Sequence, residues 1–429
     1  MGDMWRATGT AALAAWLALA AGARAQPPCP VIHSFTGVDG GGYPQALTYH
    51  ATPAGPAPGW ALYGAALFGG VFGTGEFGSS GYGIVFRLSP PPPGDEHWQE
   101  TRLYVFQGGS DGLEPGGPVV FDRSGALYGT TRRGGLNAKT TGGFGIAYKL
   151  TPPGPGHYFW DKTTLHEFDA TLESAPTGLV AGPSGALFGA SQTAVFELSP
   201  PVAGGTAWTY TVLHDFGQST PLWVMDGTPL VIDGTGAIYQ SATLQPASSN
   251  GVMPPGPTAA VFRLTPPAAG GSSWGFDFAT VPAGVGKVTG LTLDPSGTVL
   301  EGLHATRCNT CTNLTRVLFR LTPTGGTKTW VWTDLVTLPQ LSSATTFAQY
   351  YLTWINGAIY ARSSDSLFKM TPPTVADQSW TGATLCESTT DTSYSSSDFG
   401  LAGDGSGNVY GAVEGGGTNG IGSVWMVSP

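Results

Sequence analysis

Charge is what this sequence has least of. Asp, Glu, Lys and Arg make up 11% of its 429 residues, against roughly 25% in an average soluble protein. Its 18 Lys and Arg are outnumbered by 28 Asp and Glu, for a formal net charge of −10. Nucleic acid is excluded as a partner, because a phosphate backbone needs clustered cations. Long apolar runs are equally scarce. The one from Ala11 to Ala21 is too short to span a bilayer, and no basic amphipathic segment addresses a membrane surface. Chemical motifs are missing too: there is no nucleophile elbow, zincin helix or phosphate-binding loop. No cofactor and no metal are expected.

Arg6 precedes the apolar run and Ala23-Arg24-Ala25 follows it. These are the flanks of a signal peptide occupying residues 1–25 and cleaved near Ala25, with Asp3 its one atypical charge. No lipid-accepting cysteine stands at the cleavage site. The mature chain, residues 26–429, therefore reads as exported and soluble, periplasmic or fully extracellular, and as a monomer. It is rich in Gly (66) and Pro (35), which taken alone suits disorder. Yet 41% of residues are apolar, and 13 Trp, 15 Tyr and 20 Phe recur in register, as short strands joined by tight turns require.

The register comes from a repeat. An aromatic, one residue, an aliphatic, Ser or Thr, and Pro recur at Phe86–Pro90, Tyr148–Pro152, Phe196–Pro200, Phe262–Pro266, Phe319–Pro323, Phe368–Pro372 and Trp425–Pro429. A period of about 60 residues means one supersecondary unit copied. Each unit begins with an apolar strand that ends in a turn such as Asp122 to Gly125 or Asp233 to Gly236. The Asp caps its own turn and the Gly accepts positive φ. A second strand carries pairs such as Leu127-Tyr128 and Val299-Leu300. The motif strand is third, and its Pro, with no N–H to donate, stops the ladder. A fourth strand starts with Trp and has an aliphatic or small residue five positions on: Trp98/Leu103, Trp160/Leu165, Trp208/Leu213, Trp274/Ala279, Trp330/Leu335 and Trp380/Leu385.

The seventh fourth strand is absent after Pro429 and present at the other end, where Val31–Phe35 matches Thr164–Phe168 and Val212–Phe216. A linear stack needs capping ends, whereas a ring lets its first strand complete its last sheet. The expected fold is all-β: a seven-bladed β-propeller of four-stranded antiparallel blades, closed by the N-terminal strand of the mature chain. A β-solenoid or β-sandwich array is the alternative. The blades fall near 36–106, 107–168, 169–216, 217–282, 283–338, 339–388 and 389–429 plus 29–35, forming one domain.

The wording of unit two, Leu127-Tyr128-Gly129-Thr130-Thr131, a Gly-rich loop, then Gly145 to Pro152, resembles the GloVer tandem repeats. Units one and two stand nearest to that pattern, and unit seven keeps Val409-Tyr410-Gly411 and Gly415-Gly416-Gly417. The resemblance covers nearly all of the mature chain and implies an exported protein of unassigned role. Members often carry a C-terminal surface anchor. Here nothing follows the last strand, so a released or periplasmic protein is expected.

In a propeller the Asp-x-x-Gly turns and Pro-rich connections share one rim. The loops between second and third strands, and the links between blades, form the other. The first rim repeats and is explained by the scaffold; the second varies, and function concentrates in variable loops on a rigid frame. Its binding candidates are Asp111, Glu114, Arg132, Arg133, Glu301, His304, Arg307 and Arg362, with Glu76, Lys139, Glu173, Asp226, Asp365 and Glu414 on the same rim. Arg132-Arg133 suits bidentate grip of a carboxylate or phosphate. Glu301-x-x-His304 offers two metal ligands, a weak signal alone. For any one of these residues, ordinary solvated loop charge is the simpler explanation. Asp39-Gly40 and Asp111-Gly112 suit a turn better than a calcium site. His33, His166 and His214 share one repeat position with Cys386, so they are packing residues spread around the ring.

Cys308 and Cys311 lie in the variable loop of blade five, where a local disulfide is expected in an exported protein. Cys29 and Cys386 fall on outer strands of neighbouring blades, where a bridge would staple the closing strand if their heights match. The leading functional expectation is a non-enzymatic propeller that binds a glycan, a peptide or a surface protein through its variable rim. A carbohydrate hydrolase or lyase using rim carboxylates is the second, and a structural ring within an assembly the third.

Overall fold

The computed structural model describes residues 27–37, 40–51, 59–70, 81–135, 142–154, 159–169, 176–191, 193–203, 205–217, 222–225, 228–245, 258–269, 271–282, 286–307, 314–323, 330–338, 351–362, 366–375, 378–387 and 400–429. Their strands make seven antiparallel sheets. Blade 1 runs outward through Gly42–Ala51, Trp60–Phe68, Ile84–Ser89 and Gln99–Val105. Blade 2 uses Leu113–Phe121, Leu127–Arg133, Ile146–Thr151 and Asp161–Glu167. Blade 3 uses Leu179–Ala181, Leu187–Ala190, Ala194–Ser199 and Thr209–Asp215. In blade 4 the innermost strand is split into Leu222–Met225 and Val231–Ile232, followed by Ile238–Gln245, Thr258–Thr265 and Gly275–Thr280. Blade 5 comprises Lys287–Leu293, Leu300–Arg307, Leu314–Pro323 and Trp330–Thr337. Blade 6 comprises Tyr351–Ile355, Ala358–Arg362, Ser366–Thr371 and Thr381–Glu387.

Blade 7 has Leu401–Gly403, Val409–Val413 and Ser423–Val427 from the C-terminal end, and its fourth strand is Val31–Ser34. The expected closure is therefore observed: the first strand pairs antiparallel with the last, Val31 opposite Trp425 and Ser34 opposite Ser423. Cys29 is disulfide-bonded to Cys386 of blade 6, with Cα atoms 5.0 Å apart. The described residues contain a single short 3-10 turn, Gly109–Asp111, and no helix long and apolar enough to cross a membrane.

Apolar side chains gather in seven clusters, one for each seam between neighbouring blades. A blade buries both faces, so its second strand reads apolar throughout, as in Leu62–Ala66 and Ala358–Ala361. The repeated motif aromatic fills this space. In blade 7 the Trp425 indole lies across Gly411, so close that a Cβ there would sit 2.1 Å from Cζ2. Phe86, Tyr148, Phe196 and Phe319 cover Gly64, Gly129, Gly189 and Gly302 in the same way.

The fourth-strand Trp serves the seam. Trp208 meets Tyr128 of the preceding blade at 5.6 Å, Trp274 meets Phe188 at 6.1 Å, and Trp330 meets Tyr239 at 6.2 Å between ring centroids. The shared histidine position is a seam position too. His166 stacks on Tyr210 of blade 3 at 4.0 Å, His214 on Phe276 of blade 4 at 4.5 Å, and His33 reaches Glu100 of blade 1 at 2.9 Å.

Blade 5 departs from the expected register. Leu300 pairs with Leu321 as Leu127 pairs with Leu150, so Leu300-Glu301 is its counterpart of Leu127-Tyr128, not Val299-Leu300. Glu301 therefore replaces the seam aromatic.

Candidate functional site

Among the described residues, blades 7, 1 and 2, which are adjacent across the ring closure, share one feature of the variable rim. Each starts its second-to-third-strand loop with the same neck. In blade 1 Gly69 and Gly81 form a parallel bridge, in blade 2 Gly134 and Gly143, in blade 7 Gly416 and Ile421. The neck is closed by N–H groups of Gly83, Gly145 and Gly422, which donate to Gly69, Gly134 and Gly416 carbonyls at 3.1, 3.0 and 3.2 Å. The same three glycines accept from Phe106, Phe168 and Phe35, the aromatics that end each fourth strand. Side chains are excluded here by contact: a Cβ on Gly81 would lie 2.3 Å from the Gly69 oxygen.

Beneath these necks the innermost strands of blades 1 and 2 bulge, between Pro44 and Leu47 and between Gly116 and Val120. The bulge aims Gln45, fully buried, between its neighbours. Gln45 Nε2 donates to Glu414 Oε1 of blade 7 at 2.7 Å, and Arg132 Nη2 of blade 2 donates to Gln45 Oε1 at 3.1 Å. The amide links a carboxylate and a guanidinium that occupy equivalent positions two blades apart. Burial of Glu414, 3% exposed, is compensated by such charge-assisted bonds. Tyr43 and Glu114 take equivalent positions before Pro44 and Pro115, with φ of 58° and 56°. Non-glycine residues held there carry strain that tends to collect at ligand sites. Arg133 Nη1 stands 3.8 Å from Glu114 Oε1 and is 42% exposed, the outward cation of the group.

The structure thus joins Arg132 to Glu414 through Gln45, pairs Arg133 with Glu114, and disperses the other candidates. Asp111 locks the link between blades 1 and 2: Lys162 Nζ lies 2.6 Å from its Oδ1, the Tyr104 hydroxyl donates to Oδ1 at 2.8 Å, and the Gln107 amide donates to Oδ2 at 2.8 Å. Burial and this Asp111 bond push the Tyr104 hydroxyl far above its ordinary pKa. Arg362 is buried in the seam between blades 6 and 7, where it donates to the Ala412 carbonyl and lies over the Trp425 ring at 5.6 Å.

Glu301 and His304 stand three positions apart on one strand, so they face opposite sides of the sheet. Glu301 is wholly buried near the repeated rim, with Arg320 Nη2 2.7 Å from Oε1. Burial raises its carboxyl pKa, against the pull of Arg320. His304 lies near the other rim, beside Phe319 and Trp332, and its Nε2 is 3.2 Å from Asp334 Oδ1. Burial lowers its pKa despite Asp334. The two share no metal, and among the described residues no three His, Cys, Asp or Glu converge as metal ligands. Arg307 is paired with Leu314 through its backbone, and its side chain lies outside the described residues. So do Cys308 and Cys311, and Asp39, Glu76, Lys139, Glu173, Asp226 and Asp365.

The reading of single residues missed Gln45. A Gln behind a Pro carries no chemical signature, and only the bulge that turns it inward reveals its role. The central channel is a second place where a ligand could sit. It holds about 650 Å³ and is lined by all seven innermost strands, with Leu47, Val180, Leu291, Tyr351 and Leu401 among its walls and no Asp, Glu, His, Lys or Arg in its described lining.

No protein-family model matches the sequence, nor does any curated protein. Among solved structures, the chain is similar to the PQQ domain of pyranose dehydrogenase from Coprinopsis cinerea, at 11% identity over 76% of this chain and 94% of that one, TM-score 0.38. It is similar to the NanB sialidase from Streptococcus pneumoniae at 12% identity, over 94% of this chain and 70% of that one, TM-score 0.39. For the extracellular domains of Drosophila semaphorin 1b the identity is 10%, over 94% and 87%, with a TM-score of 0.43. Two of these are named as enzymes or enzyme domains and the third is not, so the likeness ends at the fold.

Proposed function

We propose that this protein is an exported, non-enzymatic propeller that binds a glycan, a peptide or a surface protein through the variable rim of blades 7, 1 and 2. One observation carries the reading: three adjacent blades present loops on one shared glycine neck above the Arg132–Gln45–Glu414 relay. A shared neck fixes where three loops leave the frame, which suits a composite recognition surface better than three independent connections. These three blades are also the units nearest to the GloVer pattern, which is why membership of that repeat family belongs to the proposal.

Export accords with the Cys29–Cys386 bridge, since such bonds persist in oxidising compartments. Residues 1–25 are the leader and 26–429 one domain, acting as a monomer. The test is a glycan array together with capture from a library of cell-surface ectodomains, using the mature protein and an Arg133→Glu variant. Binding by the wild type, reduced at least about tenfold (~1.4 kcal/mol) in the variant, supports the reading. Turnover of an arrayed polysaccharide, or binding indifferent to Arg133, overturns it.

A further inference from the structure

The segment 27–37 does more than supply the fourth strand of blade 7. It touches three blades in succession. On blade 6 the Glu387 amide donates to the Pro27 carbonyl at 3.1 Å, Pro28 forms a parallel bridge with Glu387, and Cys29 is bonded to Cys386. On blade 7 the Met426 amide donates to the Pro30 carbonyl at 3.0 Å before the strand pairing begins. On blade 1 His33 Nε2 meets Glu100 Oε2 at 2.9 Å. The same segment holds the rim loop of blade 7. The Thr418 amide donates to Ser34 Oγ at 3.2 Å, Asn419 Nδ2 to the Phe35 carbonyl at 3.0 Å, and the Phe35 amide to the Gly422 carbonyl at 3.0 Å.

We propose that residues 27–37 form a redox-gated strap, latched by Cys29–Cys386, whose release frees the rim loop Gly416–Gly422 while blades 2 to 5 stay folded. Two features support it. The only covalent tie in the described strap lies at its outer end; beyond it the strap is held by a short strand, a few hydrogen bonds, the His33–Glu100 pair and the buried Phe35 ring against Phe86. The latch is also asymmetric: Cys386 is 2% exposed among apolar side chains, whereas Cys29 lies partly open between the exposed Pro28 and Pro30. In the proposed release a dithiol reductant approaches the bridge from the side of Cys29, the more open of the two residues. One of its thiolates attacks Cys29 Sγ and expels the Cys386 thiolate, which takes up a proton. Its second thiolate then closes on the mixed disulfide and releases Cys29. Two electrons and two protons pass to the cysteines, and the dithiol leaves as its own disulfide.

This inference does not depend on what the rim binds. It is tested by amide hydrogen exchange on the mature protein, folded in the oxidised form, with and without dithiothreitol. A Cys29→Ser/Cys386→Ala variant, measured without reductant, separates this bridge from any effect at Cys308 and Cys311. Exchange at Phe35, Gly422 and Met426 should rise at least about tenfold on reduction and in the variant, with Leu127–Arg133 unchanged. Equal exchange in both redox states, or a rise shared by all blades, overturns the strap. So does a folded variant that behaves as the oxidised wild type. If the variant does not fold, the reduced wild type decides by the same readout.

Discussion

Tyr239 shows how one side chain closes a blade. Its hydroxyl donates to Asp233 Oδ2 at 2.8 Å, while Asp233 Oδ1 receives the Thr235 and Ala237 amides at 2.8 and 3.0 Å. Asp122 with Tyr128 and Asp404 with Tyr410 repeat the arrangement at the same 2.8 Å. Burial pushes each of these carboxyls up, but the summed hydrogen bonds hold them below the ordinary range. The Tyr239 hydroxyl is pushed up to about 12 by burial and by Asp233. Removing one phenol leaves a carboxylate oxygen short of a donor, so Tyr239→Phe should cost about 1 kcal/mol in urea denaturation, with unchanged m. The Asp-x-x-Gly turn was legible in the sequence, because the capping residue and its glycine are neighbours. Its third member was visible only as an aromatic six residues on, since the bond is made across the hairpin.

At the scale of the element, the seam decides which residues matter. Blade count could be read from the sevenfold motif, strand order from the Trp spacing and closure from the match of Val31–Phe35 to other fourth strands, because each recurs at a fixed place in the unit. Glu301 could not, because Val299-Leu300 imitates the Leu-Tyr pair one residue early. Pairing of Leu300 with Leu321 settles the register and exposes Glu301 as the blade that breaks the rule. A wholly buried carboxylate bridged to Arg320 is commonly no more stable than an apolar replacement. Glu301→Tyr restores the residue of five other blades and offers Asp294 a phenol. It should stabilise the protein by roughly 1–2 kcal/mol, and an unfolding midpoint at or below wild type would refute the seam argument. Arg362 was illegible for a related reason: the Trp425 face it covers belongs to the next sheet.

For the whole molecule, acid should act in two stages. His50, His214 and His304 are held by burial below the ordinary 6.5. As pH falls through 6.5 the unfolded chain takes up protons first, so stability falls with pH until the folded values are reached. Asp122, Asp233, Asp294 and Asp404 have depressed values, so their contribution stands above the ordinary 3.8 and is lost as pH drops below it. Glu301, raised by burial, works the other way, making the folded state relatively more stable as pH falls from its raised value toward 4.5. Melting temperature should decline modestly between pH 7 and 5 and steeply below 4. A profile flat from 7 to 3 would contradict these assignments.

The strap also sets how the ring bears mechanical load. Val31 lies opposite Trp425 in an antiparallel pair, so Pro27 and Pro429 leave the sheet at the same end. Tension between these ends would peel that pair one bond at a time, the weakest way to stress a ladder. The bridge from Cys29 to Cys386 intercepts the pull before it reaches Val31 and passes it into blade 6. Stretched in optical tweezers, the oxidised protein should yield at a higher force than the reduced one, with blade 7 the first to give in the latter. A ring that opens by peeling when reduced is, when oxidised, a closed link in any tether.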